Sequence, residues 1–313
     1  MVTGATGLLG RAVLAEFNSR NVFDAYGTAF SRASGDIVKL DLTDFAAVTA
    51  FVEKNRPNAI IHCAAERRPD VAETNKDATL KLNVETTRHL AQLCKSRNAF
   101  FTYISTDYVF DGRKPDPLAQ YDVNDTPNPL NAYGESKWAG EQAVRSVFDG
   151  DEASKYAIVR IPVLYGDCDK NSDSAVNILL DVLEAAQKPG APKAKVDNVG
   201  LRYPTCTGDV ARVLADIAML ALVGDGQGVP YPIRGVYHFS SEERFTKYQM
   251  IELFAKLQGL SMNNVEPVNV LPPNPTANRP GHVKLSTQCL VPLAVDWRAR
   301  SFAGYWEKKL GKK

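Results

Sequence analysis

Short apolar runs alternate with longer amphipathic segments along the first half of the chain. The apolar runs predict five strands, at 25–30, 36–40, 59–65, 100–105 and 156–162. Apolar residues at three- and four-residue spacing predict four helices, at 8–20, 44–56, 75–97 and 132–148. Strands that alternate with helices in this way form a parallel sheet covered by helices on both faces.

After about residue 165 this alternation stops. Residues 185–200 are rich in Pro, Gly and Lys and predict a long loop, and 223–235 are again rich in Gly and Pro. The other predicted features are a helix at 207–222, a strand at 236–241, a helix at 246–258 and a proline cluster at 271–280. We therefore expect a first domain over 1–164 and a smaller lobe over 165–313, some elements of which can return to the first domain.

Composition and charge narrow the class of protein. Apolar residues make up 44% of the chain and charged residues 23%, which is typical of an ordinary globular protein. A net charge of +1 argues against nucleic acid or an anionic membrane as a partner. The five cysteines lack CxxC spacing and the four histidines lack ligand spacing, so we expect neither a disulfide framework nor a metal site. No apolar run is long enough to span a membrane and the chain opens on a motif, which indicates a cytoplasmic protein with nuclear entry also open.

That opening motif, "TGATGLLG", places glycines at 4, 7 and 10 between a short strand and a helix. Gly4 allows a tight turn, Gly7 lets the backbone approach a pyrophosphate, and Gly10 lets the helix pack closely on the sheet. The helix N-terminus offers N–H groups and the positive end of its dipole to phosphates. In this strand–helix context the loop predicts dinucleotide binding. The fold class that follows is α/β, a Rossmann-type doubly wound parallel sheet with a smaller, irregular α/β C-terminal lobe.

The end of the second predicted strand bears on which dinucleotide is bound. A protein that binds NAD usually carries Asp or Glu here, to hold the ribose 2′-hydroxyl. This chain has Ser31 and Arg32, with no acidic residue before Asp36. Because arginine can bind a 2′-phosphate through two nitrogens, NADP is favoured over NAD. Asp41 and Leu42, after the third predicted strand, are placed to border the adenine.

A tyrosine and a lysine four residues apart, Tyr133 and Lys137 in "NAYGESK", lie on one face of a predicted helix. Carbonyl reduction by a nicotinamide needs a proton donor and a group that polarises the carbonyl. A lysine ammonium near a tyrosine favours the phenolate and lowers the pKa of the phenol from its usual value of about 10. Thr106, at the end of the strand "YISTD", offers a hydroxyl to the substrate oxygen. These residues predict a Thr–Tyr–Lys reductase site.

The motifs together resemble those of extended short-chain dehydrogenase/reductases, in the branch of dTDP-4-dehydrorhamnose reductases. The resemblance covers essentially the whole chain and rests on "TGATGLLG", "HCAAERRPDVAE", "LNVETT", "YISTDYVFDG", "NAYGESK", "RIPVLYG", "RYPTCTGDVA" and "NRP". Within that branch, "HCAAERRPDV", "YVFDG", "RIPVLYG" and "TKYQM" are most similar to regulatory β subunits of methionine adenosyltransferase. The end "FAGYWEKKLGKK" is short and lysine-rich, and its tail-like part differs from that of those subunits.

The resemblance implies a role for each matching residue. It implies that Thr106, Tyr133 and Lys137 form the catalytic triad, with Lys137 also on the nicotinamide ribose. The implied cofactor-binding residues are Gly4, Thr6, Gly7, Leu8, Leu9 and Gly10 at the pyrophosphate, Phe30, Ser31 and Arg32 at the 2′-phosphate, Asp41 and Leu42 at the adenine, Cys63, Ala64, Ala65 and Arg67 after the fourth strand, and Leu164 at the nicotinamide.

Three further residues have two interpretations each. Asn83 matches the asparagine often found behind such a triad, and an equally good alternative is a hydrogen bond to helix backbone. Arg202 and Arg279 match positions of the lobe that binds a sugar nucleotide in the family, and surface salt bridges are the alternative for both.

The motifs and the resemblance imply three functions. The first is an NADP-binding regulatory subunit that binds the catalytic subunit of methionine adenosyltransferase and modulates S-adenosylmethionine synthesis. The second is an NADPH-dependent reductase of a 4-keto-6-deoxy sugar nucleotide. The third is an NADP-binding sensor with some other partner. The intact triad does not separate the first two, because the regulatory relatives keep the same Tyr–Lys pair.

Overall fold

Seven parallel strands form the central sheet of the computed structural model, which describes residues 1–116, 119–223, 233–270, 273, 275–293 and 295–311. Numbered in chain order, these strands are β1 (Val2–Thr3), β2 (Gly27–Ala29), β3 (Val38–Lys39), β4 (Ala59–His62), β5 (Phe100–Thr106), β6 (Tyr156–Ile161) and β10 (Arg234–His238). Their order across the sheet is β10-β6-β5-β4-β1-β2-β3. The chain changes direction across the sheet between β1 and β4, where open α/β sheets bind their ligands at the carboxyl ends of the strands.

Helices cover both faces of this sheet. The helices are α1 (Leu8–Ser19), α2 (Phe45–Asn55), α3 (Pro69–Thr74), α4 (Lys76–Leu80), α5 (Thr86–Ser96), α6 (Ala132–Phe148), α7 (Ile178–Ala186), α8 (Thr207–Val223), α9 (Lys247–Gln258) and α10 (Phe302–Leu310). On one face α1 and α8 pack together through Val13, Phe17 and Leu214. On the other face α2, α5 and α6 bury Val48, Leu90 and similar residues against the sheet. Burial on both faces explains why the central strands are apolar throughout.

A smaller lobe lies beside the carboxyl edge of the sheet. Two short parallel pairs belong to it, β7 (Leu164–Tyr165) with β9 (Thr205–Cys206) and β8 (Ala194–Asp197) with β11 (Val265–Val268). A separate apolar core joins α7, α9 and α10 through Leu183, Phe254, Phe302 and Trp306. Phe302–Leu310, in the short and lysine-rich segment of the sequence, therefore form a helix packed by two fully buried aromatic side chains.

The predicted α/β class and parallel sheet are confirmed. Three differences between predicted and observed elements bear on the architecture. The helix predicted over 75–97 is α4 and α5 joined by a π-helical turn, Lys81–Glu85, and the loop predicted over 185–200 contains β8. The strand predicted for the second lobe is β10, which pairs with β6 in the central sheet. These differences arise because pairing and packing with distant segments outweigh local propensity.

Three points remain outside these comparisons. The division at residue 164 stays a prediction. Of the Gly- and Pro-rich segment, 224–232 lie outside the described residues, as do 271, 272 and 274 of the proline cluster. In the part of the chain that the structure describes, no helix is both long and apolar enough to cross a membrane.

Candidate functional site

A cavity of about 730 Å³ opens between the carboxyl edge of the central sheet and the smaller lobe. All the residues predicted for the site line this one cavity. They are Gly4, Thr6, Gly7, Leu8, Leu9, Gly10, Phe30, Ser31, Arg32, Asp41, Leu42, Cys63, Ala64, Ala65, Arg67, Thr106, Tyr133, Lys137, Leu164, Arg202 and Arg279. The structure thus brings together residues that lie up to about 270 positions apart in the chain, in a site of the size typical for small-molecule ligands.

The glycine loop at one end of the cavity has no room for side chains. Gly4 has φ +63°, and a Cβ there would lie 2.9 Å from the Ala64 backbone. A Cβ on Gly10 would lie 2.2 Å from the Gly4 carbonyl oxygen. The Gly7 N–H donates to that same oxygen at 2.8 Å. The loop is therefore a tight backbone turn that depends on glycine at both ends.

This loop leads into α1 in a way that suits a pyrophosphate. No side chain caps the N-terminus of α1 at Gly7, and its first turn carries no acidic residue. The first N–H groups of a helix have no intrahelical partner, and the helix dipole favours an anion at this end. The residues present therefore fit the phosphates of a dinucleotide.

At the end of β2, Arg32 pairs with the segment that follows β7. Its Nη1 lies 2.7 Å from the Asp173 carboxylate and 4.0 Å from that of Asp169. Asp169 in turn forms an ion pair with Arg11 of α1. Because Asp173 contacts only one Arg32 nitrogen, the other nitrogens of the guanidinium remain able to bind a phosphate.

Asp41 and Phe30 both line the cavity. The Asp41 carboxylate accepts from the backbone N–H and the hydroxyl of Thr43, at 2.9 Å and 2.7 Å. It thereby fixes the turn after β3 while still lining the cavity. Phe30 is 60% exposed, so its ring is available to a planar ligand.

The three residues of the predicted triad come from β5 and α6. Thr106 is the last residue of β5, and its hydroxyl donates to Asp107 at 3.1 Å. Helix α6 begins after Asn131, whose side chain accepts from Gly134 N–H and caps the helix. That cap places Tyr133 in the first turn and Lys137 one turn later, both facing the cavity.

The expected lowering of the Tyr133 pKa is not seen. Burial raises the pKa of Tyr133 above its ordinary value, and the hydrogen bond with Thr106 opposes this only in part. The Lys137 ammonium lies 4.0 Å from the centroid of the Tyr103 ring, and burial lowers its own pKa to about 7. Tyr133 is therefore a neutral phenol near pH 7, the form that holds a proton to donate.

Asn83 sits in the π-helical turn and joins two parts of the site. Its Oδ1 accepts from Glu66 N–H, while its Nδ2 donates to the Glu66 carbonyl and to the Ser136 hydroxyl. The backbone it binds is the non-helical segment after β4, and Ser136 lies between Tyr133 and Lys137 on α6. Asn83 thus ties the cavity wall after β4 to the helix that carries the Tyr–Lys pair.

The two arginines of the smaller lobe differ in their partners. Arg202 is 8% exposed, and its Nη1 donates to the carbonyls of Leu201, Pro280 and Gly281, so the surface salt-bridge alternative is wrong for it. Arg279 does form a partly exposed ion pair, with Asp70 at 2.6 Å, and also lines the cavity. Their roles toward a ligand stay predictions.

Sequence reasoning missed two charged residues of the cavity. Asp107 follows Thr106 directly, and burial raises its pKa to about 6 although the Arg202 charge acts in the opposite direction. Lys247 begins α9, and burial together with Arg202 and Arg279 lowers its pKa. Both lie in motifs already singled out, "YISTD" and "TKYQM", but nothing in the sequence shows that they face the same cavity. Among the described residues, no group of three or more His, Cys, Asp or Glu side chains could hold a metal ion.

The family model of the RmlD substrate binding domain matches residues 1–301. The chain therefore belongs to this family, and its fold is that of the extended short-chain dehydrogenase/reductases, as the motifs predict. The crystal structure of dTDP-4-dehydrorhamnose reductase from Bacillus anthracis in complex with NADP has a TM-score of 0.79 to it at 27% identity, covering 98% of this chain and 96% of that one.

Two further relatives match most of the chain. Methionine adenosyltransferase 2 subunit beta of Danio rerio is 39% identical over 302 residues, which are 96% of this chain and 87% of that protein. The dTDP-4-keto-6-deoxy-D-glucose reductase of Streptomyces niveus is 34% identical over 268 residues, which are 86% of this chain and 81% of that protein. The chain is thus similar both to a subunit of methionine adenosyltransferase and to a reductase of a dTDP sugar.

Proposed function

We propose that this protein binds NADP and acts as a regulatory subunit of methionine adenosyltransferase, modulating S-adenosylmethionine synthesis. The observation that carries the proposal is the 39% identity to the Danio rerio β subunit over 96% of the chain. The reductase relative is less similar and matches a smaller share of the chain. The proposed partner is the catalytic subunit of that enzyme.

The geometry of the cavity supports a nicotinamide dinucleotide. The glycine turn and the uncapped start of α1 form a cradle for the pyrophosphate. The Bacillus anthracis relative, with a similar fold, holds NADP. NADP rather than NAD is supported by Arg32, which stands where an NAD-binding protein usually carries an acidic residue.

The regulatory proposal is tested with purified components. The chain is mixed with the methionine adenosyltransferase catalytic subunit of the same cell, and complex formation is measured by calorimetry with and without NADPH. We expect a complex with altered kinetics of S-adenosylmethionine formation. The absence of both a complex and a kinetic effect, at concentrations well above the micromolar range, would refute this proposal.

A reductase acting on a 4-keto-6-deoxy sugar nucleotide is the second candidate. The observation that favours it is the assembled triad, with Arg202 buried in the same cavity. A buried guanidinium beside a cavity suits an anionic group such as a diphosphate. Arg279 and Lys247 add positive charge to that end of the cavity.

The triad supports a simple division of roles in this reaction. Bound NADPH would supply the hydride. Tyr133, held neutral by burial, would donate its proton to the carbonyl oxygen, and the Thr106 hydroxyl would orient that oxygen. Protonated Lys137 would stabilise the tyrosinate that remains, which a pKa of about 7 permits only near or below neutral pH.

A single-turnover assay separates the two candidates. NADPH and a dTDP- or UDP-4-keto-6-deoxy sugar are mixed with excess protein, and the nicotinamide absorbance is followed. Oxidation that disappears in Tyr133→Phe and weakens in Arg202→Ala would establish the reductase. NADPH binding without oxidation would leave the regulatory proposal as the better one.

A further inference from the structure

The Lys137 ammonium is buried in contact with an aromatic ring. Its Nζ lies 4.0 Å from the centroid of the Tyr103 ring on β5, well inside the distance for a cation–π contact. Lys137 is 3% exposed. In the described part of the chain, no carboxylate lies within 4.0 Å of its ammonium. The ring face therefore takes the position that a counter-ion would usually hold.

The Tyr103 ring is fixed by backbone and packing around it and not by the lysine ammonium. Its hydroxyl lies 3.4 Å from the carbonyl oxygens of Asn83 and of Lys137 itself. A Cβ on Gly140 would lie 2.2 Å from this hydroxyl, so α6 passes over the ring at a residue without a side chain. Tyr103 is fully buried. The ring is thus a rigid platform beneath the second turn of α6.

Other groups that face Lys137 come from β4, its carboxyl end and α6. Glu141, one turn further along α6, and Cys63, just after β4, both raise the pKa of Lys137. His62 on β4 feels the lysine charge, which together with burial lowers the pKa of the imidazole to about 3. Burial, followed by Glu141 and Tyr133 from α6, raises the pKa of Tyr103. Among the described residues, the close contact recorded for the ammonium is with the Tyr103 ring.

We propose that Tyr103 is a positioning residue for Lys137, whose ammonium its ring face holds at the floor of the cavity. The inference rests on the proposed function in one respect. Lys137 would bind the nicotinamide ribose from the position in which Tyr103 holds it. The contact itself belongs to the chain without any ligand. The proposal gives Tyr103 on β5 a role in placing the Lys137 ammonium. The spacing of Tyr133 and Lys137 on α6 does not by itself fix that position.

The test measures the protonation of Lys137 directly. The protein is labelled with ¹³C at the Cε of lysine, the Lys137 signal is assigned with Lys137→Arg, and its chemical shift is followed against pH. Tyr103→Phe keeps the ring, and we expect its Lys137 pKa to equal that of the unaltered protein. Tyr103→Leu removes the ring face, and we expect the Lys137 pKa to fall by roughly one pH unit.

A second pair of variants, matched in shape, tests the contact even if Tyr103→Leu does not fold. Phenylalanine and 3,4,5-trifluorophenylalanine at position 103 have nearly the same shape, but fluorination withdraws charge from the ring face. We expect a lower Lys137 pKa with the fluorinated ring. An equal Lys137 pKa in this pair would overturn the inference, whether or not Tyr103→Leu folds.

NADPH titrations of the same variants test the positioning role of Tyr103 separately from the proposed function. Variants with a lowered Lys137 pKa should bind NADPH more weakly at about pH 7.5, with the difference shrinking towards about pH 6 as Lys137 becomes protonated in all of them. Equal affinity at both pH values, despite a lowered pKa, would overturn the positioning role. Failure of the unaltered protein to bind NADPH would count against the proposed function, and the fluorinated pair would still decide the contact.

Discussion

Arg160 on β6 forms a two-point ion pair with Glu141 on α6 in the interior of the protein. Its Nε lies 2.9 Å from Glu141 Oε1 and its Nη2 lies 2.7 Å from Oε2, with both side chains almost wholly inaccessible. Ser105 donates to the same carboxylate at 2.6 Å, and Arg160 also contacts His238. The pair joins the sheet to the helix that carries Tyr133 and Lys137.

Removing one member of this pair is expected to be costly. Arg160→Met leaves the Glu141 charge buried without its partner, and we expect the free energy of unfolding to fall by about 3–5 kcal/mol. Chemical denaturation measures it. The double variant Arg160→Met/Glu141→Leu should recover much of the loss, because no uncompensated charge remains. A single-variant loss below about 1 kcal/mol would contradict this account.

The glycine turn makes a prediction with a matched control. In Gly10→Ala the new Cβ would meet the Gly4 carbonyl oxygen, so we expect a loss of about 1–3 kcal/mol in stability and a weakened affinity for NADPH. Gly208 is also helical, but its nearest neighbours are flexible Arg300 atoms at 3.4 Å or more. Gly208→Ala should therefore leave both quantities nearly unchanged. Thermal unfolding measures the stability, and NADPH fluorescence titration measures the affinity. Equal effects of the two variants would contradict the expected clash at Gly10.

Replacing Arg32 should change the choice of dinucleotide. If Arg32 binds the 2′-phosphate, Arg32→Ala weakens NADPH by about 1.5–3 kcal/mol, or roughly 10- to 150-fold, and leaves NADH unaffected. Calorimetry with both dinucleotides measures the ratio. Lys54→Ala, which removes a positive charge from the last turn of α2, serves as the control. A parallel loss of NADPH and NADH affinity would mean that Arg32 acts only through its ion pair with Asp173.

Asp107 predicts a dependence of stability on pH. Its pKa is raised from 3.8 to about 6 in the folded protein, so between these values the folded state binds a proton that the unfolded state has released. The free energy of unfolding contributed by this group therefore falls as pH rises from about 4 to about 6. The side chain in Asp107→Asn cannot ionise, so it does not cause this fall in the free energy of unfolding. It can still accept a hydrogen bond from Thr106. We expect this variant to be more stable than the unaltered protein above about pH 6, by up to about 3 kcal/mol, and equally stable near about pH 4.

Denaturation curves at several pH values test this prediction. Asp36→Asn, which makes the same substitution in the exposed loop before β3, is the matched control. A stability difference for Asp107→Asn that is the same at all pH values would show that the effect comes from packing and not from the charge.

The sequence by itself determined the features that depend on local chemistry. The glycine turn at Gly4 and Gly10, the Tyr133–Lys137 spacing and the strand–helix alternation each arise from neighbouring residues, because turns need particular φ values and helices repeat every 3.6 residues. Those patterns, together with the family resemblance, predicted the fold class. They also identified a set of residues that line one cavity in the structure.

Only the tertiary structure decided how residues distant in the chain affect one another. It brought Asp107 and Lys247 into the cavity, buried Arg202 against backbone carbonyls, and placed Tyr103 beneath Lys137. It also reversed the expected shift in the Tyr133 pKa, because burial there outweighs the hydrogen bond with Thr106. Desolvation depends on everything packed around a group, and most of those neighbours lie on other elements whose positions no local pattern records.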